Sequence, residues 1–528
     1  MQHEGKEQAM RARWGMITLV AGLVTVAFFT GGWLKRPEPA ANGNVYQQAR
    51  LFEDVLAAIR TQYVDSISET DLYFRATTGT VDHLRDPYSM LLVGDAYRRF
   101  TDKLNGTTDG LGLQLDLRDG KLAVAGTTPG SPAERDGLLP GDLLLTIDGT
   151  ATKGWNIERA EAALRPEPGD TVTVTVRRAG IADVITHRLV SGRVHVRATS
   201  PGILLDQGVG VVALRVVSDS AARELAETVD SLRALGMTSL VVDLRSNPGG
   251  MLNQGIALAG LFLDRGQTIG TLRGRTERQT TVYTAEGPER WPDLRVALLV
   301  NGGTASSAEI FAGALQDHDR AVVVGAPTLG KGAVQSTIPL GRDVAVKLTT
   351  ARWSTPSGRG IQRPLQGLPF NPDTTEIFRT DSGRPVPNAH GILPDVRLPR
   401  TQPAPAELAL ADALGGDLSA YRDVLEAYAT ELATQGQVTS DTLAVTPAMR
   451  REVAQRLHAA GLRVPARVYE AAAAVVDRDL GQELTRAAFG AAAADRRRLR
   501  EDAQVHAAAA LLQARQVAEG LWTLPVWR

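Results

Sequence analysis

The chain has 528 residues, enough for three or four folded units that each bury a core. Its 58 basic residues against 59 acidic ones leave a net charge of −1, which gives no support for a nucleic-acid partner or an anionic surface. There is no cysteine, which excludes a thiol nucleophile, a cysteine-ligated metal site, disulfides and a lipoprotein-type anchor.

Trp14 to Leu34, WGMITLVAGLVTVAFFTGGWL, carries no charge and is flanked by Arg11 and Arg13 before it and by Lys35 and Arg36 after it. It is long enough to cross a bilayer as a helix, and no A-x-A site comes after it, so an uncleaved anchor is preferred over a signal cut before Trp33. Residues 1–13 are then a cytoplasmic tail, and almost everything after residue 34 lies outside the inner membrane. Past a Pro/Ala/Asn/Gly linker at 37–44, residues 46–106 read as helices, with Leu51, Val55, Ile59 and Tyr63 on one face. Residues 107–190 read as short strands and turns (GLGLQLDL, KLAVAGT, DLLLTIDG, TVTVTVRR) with one helix near IERAEAALR. From 191 to 400, strand and helix signals come to alternate (GVGVVALRVV, SLVVDLR, RVALLVN, RAVVVG), which argues for an α/β domain. Residues 401–528 are Ala-rich and helical, and the cluster DRRRLRED at 495–502 reads as a solvated face.

GAPTLGKGAVQS, residues 325–336, comes within one residue of the phosphate-binding loop G-x-x-x-x-G-K-[ST]. The hydroxyl position is Gly332, however. The segment AVQSTIPLGRDVAVKLTTARW, residues 333–353, alternates like a β-hairpin where a phosphate loop must open a helix, so nucleotide binding is set aside. Lys331 needs another role. Only seven of the 58 basic residues are Lys, and a Lys between two glycines stands out because Lys can lose its proton and Arg cannot.

Upstream, LLVNGGTASSAEIF reads as a buried strand, a turn and a helix starting near Ser306. Ser306-x-x-Glu309 is a capping box, the ordinary use of such a serine. A serine on a helix N-terminus also sits where free amides and the dipole stabilise a developing oxyanion. Asn247-Pro248-Gly249-Gly250 makes a second strand-to-helix turn, or simply a tight connection. No G-x-S-x-G elbow exists, and of eight histidines only His83, His318 and His390 lie near these segments. A buried Lys331 with a depressed pKa can serve Ser306 as base instead. Gln335, on the same face of an extended strand, can hold its amine.

These segments, with DPYSMLL (86–92), KLTTARWSTPSGRGIQ and HGILPDV, occur in order between about 46 and 400 and resemble the carboxy-terminal processing, or tail-specific, serine proteases. The fold expected is α/β: a ClpP/crotonase-like protease core with an inserted β-rich PDZ domain, an N-terminal transmembrane helix and a helical C-terminal region. The resemblance implies a Ser–Lys dyad, with Ser306 as nucleophile, Lys331 as base and Gln335 positioning the lysine. It implies oxyanion donors from the amide of Ser307 and from Gly249 or Gly250, with Gly250 preferred. One departure is that the family's S-A-S-A-S-E is here Thr304-Ala305-Ser306-Ser307-Ala308-Glu309, which sets a second hydroxyl beside the nucleophile. GLGLQLDL and SPAERDGLLPGDLLLTIDG resemble a PDZ domain over 107–190, in which amides of Gly110, Leu111, Gly112 and Leu113 cradle a chain-terminal carboxylate. A generic β-hairpin is the plainer alternative.

The expectation is an envelope serine endopeptidase, anchored in the inner membrane, that cleaves exported proteins chosen by their C-terminal tails through an acyl-enzyme. Its competitor is a membrane-tethered PDZ peptide-binding or scaffold protein without turnover. No cofactor or metal is expected. Partners are protein or peptide substrates with free C-termini and no nucleic acid, with a homodimer or higher oligomer left open.

Overall fold

The computed structural model describes residues 44–118, 121–167, 169–178, 180–364, 376–388, 390–399 and 403–514; the expected anchor at 14–34 lies outside them. Among the described residues no helix is long and apolar enough to cross a membrane. The described residues before Asp82 form one compact unit and those from Asp82 onward a second.

The first unit contains α1 (Val45–Gln62) and all but the last residue of α2 (Glu69–Asp82). Asn44 caps α1 by accepting from the Tyr46 N–H at 3.1 Å. The expected apolar face is not a core face: Leu51 and Val55 on α1 and Tyr63 just after it are exposed, and the one buried side chain of α1 is Leu56.

The second unit opens with β1 (Met90–Val93) and α3 (Asp95–Asn105). A strand stands here where helices were expected. Asp86-Pro87 disfavours helical backbone, and the four residues Met90 to Val93 pair antiparallel with the distant strand Val344–Ser354, in register Met90↔Lys347 to Val93↔Val344. β2 (Thr107–Gly110) comes next and forms a two-stranded ribbon with β9 (Gly192–His195). Between them lies an antiparallel sheet of β3 (Leu113–Arg118), β4 (Lys121–Thr127), β5 (Leu143–Ile147), β7 (Thr171–Arg177) and β8 (Ile185–Val190), in the order β3-β4-β5-β7-β8. The short β6 (Thr150–Ala151) adds to β5, and α4 (Pro132–Arg135) and α5 (Ile157–Ala163) close a core that includes Leu111, Leu122, Val124, Val174 and Leu189.

The main sheet joins β10 (Ile203–Leu205), β11 (Val209–Ala213), β12 (Ser239–Asp243), β15 (Arg295–Val300), β16 (Val322–Gly325) and β21 (Val396–Arg397) in that spatial order. All neighbouring pairs are parallel except β10 with β11. Its strands are apolar at nearly every position because both faces are covered. Val212, Leu240, Val242, Leu298 and Val323 face α6 (Ala221–Ala234), α7 (Leu252–Gly260) and α8 (Ser307–Asp317). Alternate residues Val211, Val241, Ala297, Leu299 and Val324 face the other way. A second sheet, order β1-β18-β13-β14, holds β13 (Thr268–Gly274), β14 (Thr280–Thr284) and β18 (Val344–Ser354), with β17 (Ala333–Pro339) along the other side of β18. The expected hairpin after Lys331 is thus β17 and β18. A small ribbon of β19 (Ile377–Arg379) and β20 (Pro385–Pro387) precedes β21.

The described residues finish with α9 (Pro405–Ala413), α10 (Leu418–Thr434), α11 (Pro447–Ala459), α12 (Ala466–Ala471), α13 (Ala473–Glu501, broken at Gly490, φ 80°) and α14 (Ala503–Gln513). Most of these share a core of their own around Leu425, Val453, Val476 and Leu480. The end of α13 and α14 instead return to the main sheet, where Leu499, Val505, Ala508, Ala509 and Leu512 cover its second face. The cluster DRRRLRED is therefore a seam and not a solvated face. Asp495 pairs with Arg215 (2.6 Å), and Arg497 is buried against Glu501, Thr485 and the Leu443 carbonyl. Arg497 thus ties the helical arm together, while Asp495 reaches Arg215 just past the end of β11.

Leu499→Ala is expected to lower the denaturation midpoint of the core by the equivalent of about 2–5 kcal/mol, the cost of a methyl-lined cavity in a packed sheet face. Urea titration followed by far-UV circular dichroism measures it. A wild-type midpoint would show that the helical arm contributes nothing to the core.

Candidate active site

β12 and β15 are adjacent parallel strands, and each runs at its carboxyl end into a turn and a helix. In open α/β sheets this edge is where ligands sit. The turn after β12 carries Asn247 to Gly250, and the turn after β15 carries Ser306 at the N-cap of α8. Every residue of α8 is buried, so the position of its N-terminus is fixed by packing.

The two turns are tied to each other. Thr304 Oγ1 donates to the Leu244 carbonyl (2.8 Å), Ser246 N–H to Asn301 Oδ1 (2.8 Å), and Ala305 N–H to the Asn247 carbonyl (2.9 Å). Asn247 also donates from Nδ2 to the Leu214 carbonyl (2.7 Å). These bonds hold two strained residues, Ser246 (φ 58°) and Ser306 (φ 57°), where a non-glycine residue costs roughly 1–3 kcal/mol. The strained serine has the sharp strand-to-helix geometry of a nucleophile elbow without its glycines, so the G-x-S-x-G pattern does not report it.

Glu309 joins Ser306 to Lys331. Its Oε2 accepts the backbone N–H of Ser306 and that of Lys331, each at 2.8 Å. Its Oε1 accepts Thr328 Oγ1 (2.5 Å) and Gly330 N–H (2.8 Å). The side chain is inaccessible, and burial pushes its carboxyl up from the usual range while these four donors pull it back.

Ser306, Ser307, Lys331, Gln335, Gly249 and Gly250 all line one cleft of about 560 Å³. Ser306 is half-buried, whereas Ser307 is 1% exposed with its hydroxyl buried and unpartnered among the described residues. Gly249 must lack a side chain, since a Cβ there would lie 2.8 Å from Ser306 Cβ and 2.9 Å from Ser307 N. Its own N–H is committed to Asn247 Oδ1 (2.9 Å). Gly250 is exposed, and a Cβ on it would meet the Val217 carbonyl oxygen at 2.1 Å.

Burial pushes the Lys331 amine below the ordinary lysine value, and the neighbouring Lys347 ammonium pushes the same way, against Glu309 and Asp86. The Lys331 Nζ sits 4.9 Å from the centre of the Tyr88 ring. Gln335 donates from Nε2 to the Ala333 carbonyl (3.1 Å) and to Thr349 Oγ1 (3.2 Å). Strand alternation is not what brings Gln335 and Lys331 together: Lys331 precedes β17, and the register shifts between Val334 and Gln335.

No histidine is among the described residues that line the cleft. His318 is bound at the far end of α8 by Asp381 (2.7 Å) and the Thr268 carbonyl (2.6 Å). Sequence reasoning missed Lys347, Asp86 and Tyr88. The scarcity of lysine held the signal for the first, because three of the seven lysines, Lys103, Lys331 and Lys347, line this cleft.

Gly110 to Leu113 lie elsewhere, where β2 passes into β3. β3 is the outer strand of its sheet, with α5 beside it. Gly112 (φ 73°) packs so closely on Ser131 that a Cβ would approach to 2.1 Å.

Residues 208–375 match the model of peptidase family S41, and residues 124–178 match that of a PDZ domain. Among solved structures, the photosystem II D1 C-terminal processing protease aligns over 69% of this chain and 95% of its own, at 25% identity and a TM-score of 0.36. The carboxy-terminal processing protease CtpA of Bacillus subtilis is 29% identical over 348 residues, 66% of this chain and 74% of that protein. A carboxy-terminal-processing protease of Bartonella bacilliformis is 32% identical over 334 residues, 62% of this chain. That match spans 75% of the Bartonella protein, and with it this chain belongs to the carboxy-terminal-processing proteases of peptidase family S41 and carries a PDZ domain.

Proposed function

We propose that this protease is a serine endopeptidase working through a Ser306–Lys331 dyad on proteins selected by their C-terminal tails. One observation carries the proposal: a single buried oxygen, Glu309 Oε2, accepts the backbone N–H of both residues, so that the helix bearing Ser306 and the loop bearing Lys331 open into one cleft.

The neutral Lys331 amine takes the Ser306 proton as Oγ attacks the peptide carbonyl. The oxyanion is held by the N–H groups of Ser307 and Gly250. Gly249 is the poorer donor because its N–H already serves Asn247. The Lys331 ammonium then protonates the leaving amine, and the regenerated amine activates the water that releases the acyl-enzyme. Gln335 holds Lys331 with its amide oxygen while its Nε2 is tethered to Ala333 and Thr349. The open edge of β3 receives the substrate tail as an added strand, its carboxylate on the amides of Gly110 to Leu113. The uncharged stretch 14–34 supports an envelope location, with the protease held at the inner membrane.

Ser306→Ala is expected to reduce hydrolysis of an unfolded model protein to background, while Ser307→Ala keeps most of it. Turnover by the Ser306 variant would favour a binding scaffold or another nucleophile.

Lys331→Arg is expected to be as inactive as Lys331→Ala, because a guanidinium keeps the charge but accepts no proton. For the wild type, kcat/KM rises with pH as Lys331 loses its proton, with the midpoint below the ordinary lysine value. A pH–rate profile from about pH 6 to about pH 11 tests the limb, and a midpoint at or above that of free lysine refutes a desolvated base.

Amidating the C-terminus of a peptide substrate should raise KM about tenfold or more, since the loop loses a charged acceptor. Equal KM for the acid and the amide would remove tail recognition and leave the dyad standing.

A further inference from the structure

Arg245 stands directly before the strained turn that carries Asn247 and Gly250, and its guanidinium lies between two carboxylates. Nε and Nη2 donate to Asp243 (2.9 and 2.8 Å), the last residue of β12. Nη2 and Nη1 donate to Asp502 (2.8 and 3.3 Å), and Nη1 donates also to Gln504 Oε1 (2.9 Å). Asp502 and Gln504 are 257 and 259 residues further along the chain, at the start of α14. The Arg245 and Asp502 side chains are 14% and 19% exposed, so the pair is largely withdrawn from screening water.

Asp243 ties Arg245 back to the end of its own strand, β12, two residues before it. Asp502 is different. It belongs to a helix packed on β12 and β15, the strands from which both active-site turns spring. Burial alone would push the Asp502 carboxyl up, yet the Arg245 hydrogen bond and charge hold it below the usual range. Both matched family models end before residue 376, so this partner lies outside them.

We propose that Asp502 is a positioning residue for the proteolytic reaction: by gripping Arg245 it sets the turn that presents the Gly250 N–H to the oxyanion. This rests on the Ser306 dyad. The helical arm thereby completes the active site without touching substrate.

Asp502 also caps α14, its Oδ1 accepting from Gln504 N–H (2.9 Å) and Val505 N–H (3.0 Å). Asp502→Asn keeps the volume and the Oδ1 cap, since Asn caps as well as Asp, but removes the charge and turns Oδ2, the acceptor of Arg245 Nη2, into a donor. It is expected to lower kcat by about 10- to 100-fold, in line with a misplaced catalytic group, with KM within about twofold. The thermal midpoint should stay within about 3 °C of wild type. Asp495→Asn, which cuts the neighbouring Arg215 tie (2.6 Å), is the control and should leave kcat unchanged. Should Asp502→Asn fail to fold, Gln504→Ala decides, with a severalfold fall in kcat expected. Wild-type kcat in the variant that folds overturns the proposal, as does an equal loss in Asp495→Asn accompanied by a lower thermal midpoint. Failure of the dyad reads differently, as hydrolysis persisting in Ser306→Ala.

Discussion

The Glu309 carboxylate is the constraint on which the site's geometry depends. A carboxylate taken out of water is unstable unless donors replace the solvent, and Glu309 has four. None of them is a charged partner. Two are the amides of Ser306 and Lys331, which line one cleft, and two more fix the loop that leads to Lys331. The desolvation penalty is thus offset only when the α8 N-terminus and the 328–331 loop stand in one arrangement. Any slippage between them would leave a buried acceptor unpaired, a loss of roughly 1–3 kcal/mol per group. The capping box is therefore both helix chemistry and a clamp between two segments more than twenty residues apart.

The main sheet explains why that clamp can be rigid. Its strands are covered on one face by α6, α7 and α8 and on the other by the end of α13 and α14. Chain from the far end of the sequence supplies a layer without which β12 and β15 would expose Val241, Ala297 and Leu299. The turns at the ends of these strands consequently grow from a sheet fixed on both sides, and their strained residues persist because the surroundings over-determine them.

Much of this is legible in the residues. Continuous apolar runs such as SLVVD and RVALLV announce strands buried on both faces, and the period-two alternation after Lys331 announces the β17–β18 hairpin. The Gly-rich turns stand out because glycine there is a steric necessity. What escapes is whatever depends on distant chain. β1 is four residues that acquire strand character from β18, over 250 positions away. The charge run at 495–502 reads as solvated because its partners Arg215 and Arg245 are invisible to local pattern. The bulge before Gln335 and the backbone strain at Ser306 are local, yet no residue type signals them: a serine with φ 57° is spelled like any other serine.

The near absence of lysine from this chain has a chemical consequence. Acylating and reductive-alkylating reagents attack neutral amines, and an ammonium is inert to them. Lys331 and Lys347 are both driven toward the neutral form by burial, and each lies beside an aromatic ring in the same cleft. Arginine, which carries almost all the remaining positive charge, is invisible to such reagents near neutral pH. Burial thereby raises the share of reactive neutral amine at Lys331 and Lys347, and amine-selective labelling of these two residues reports on the cleft.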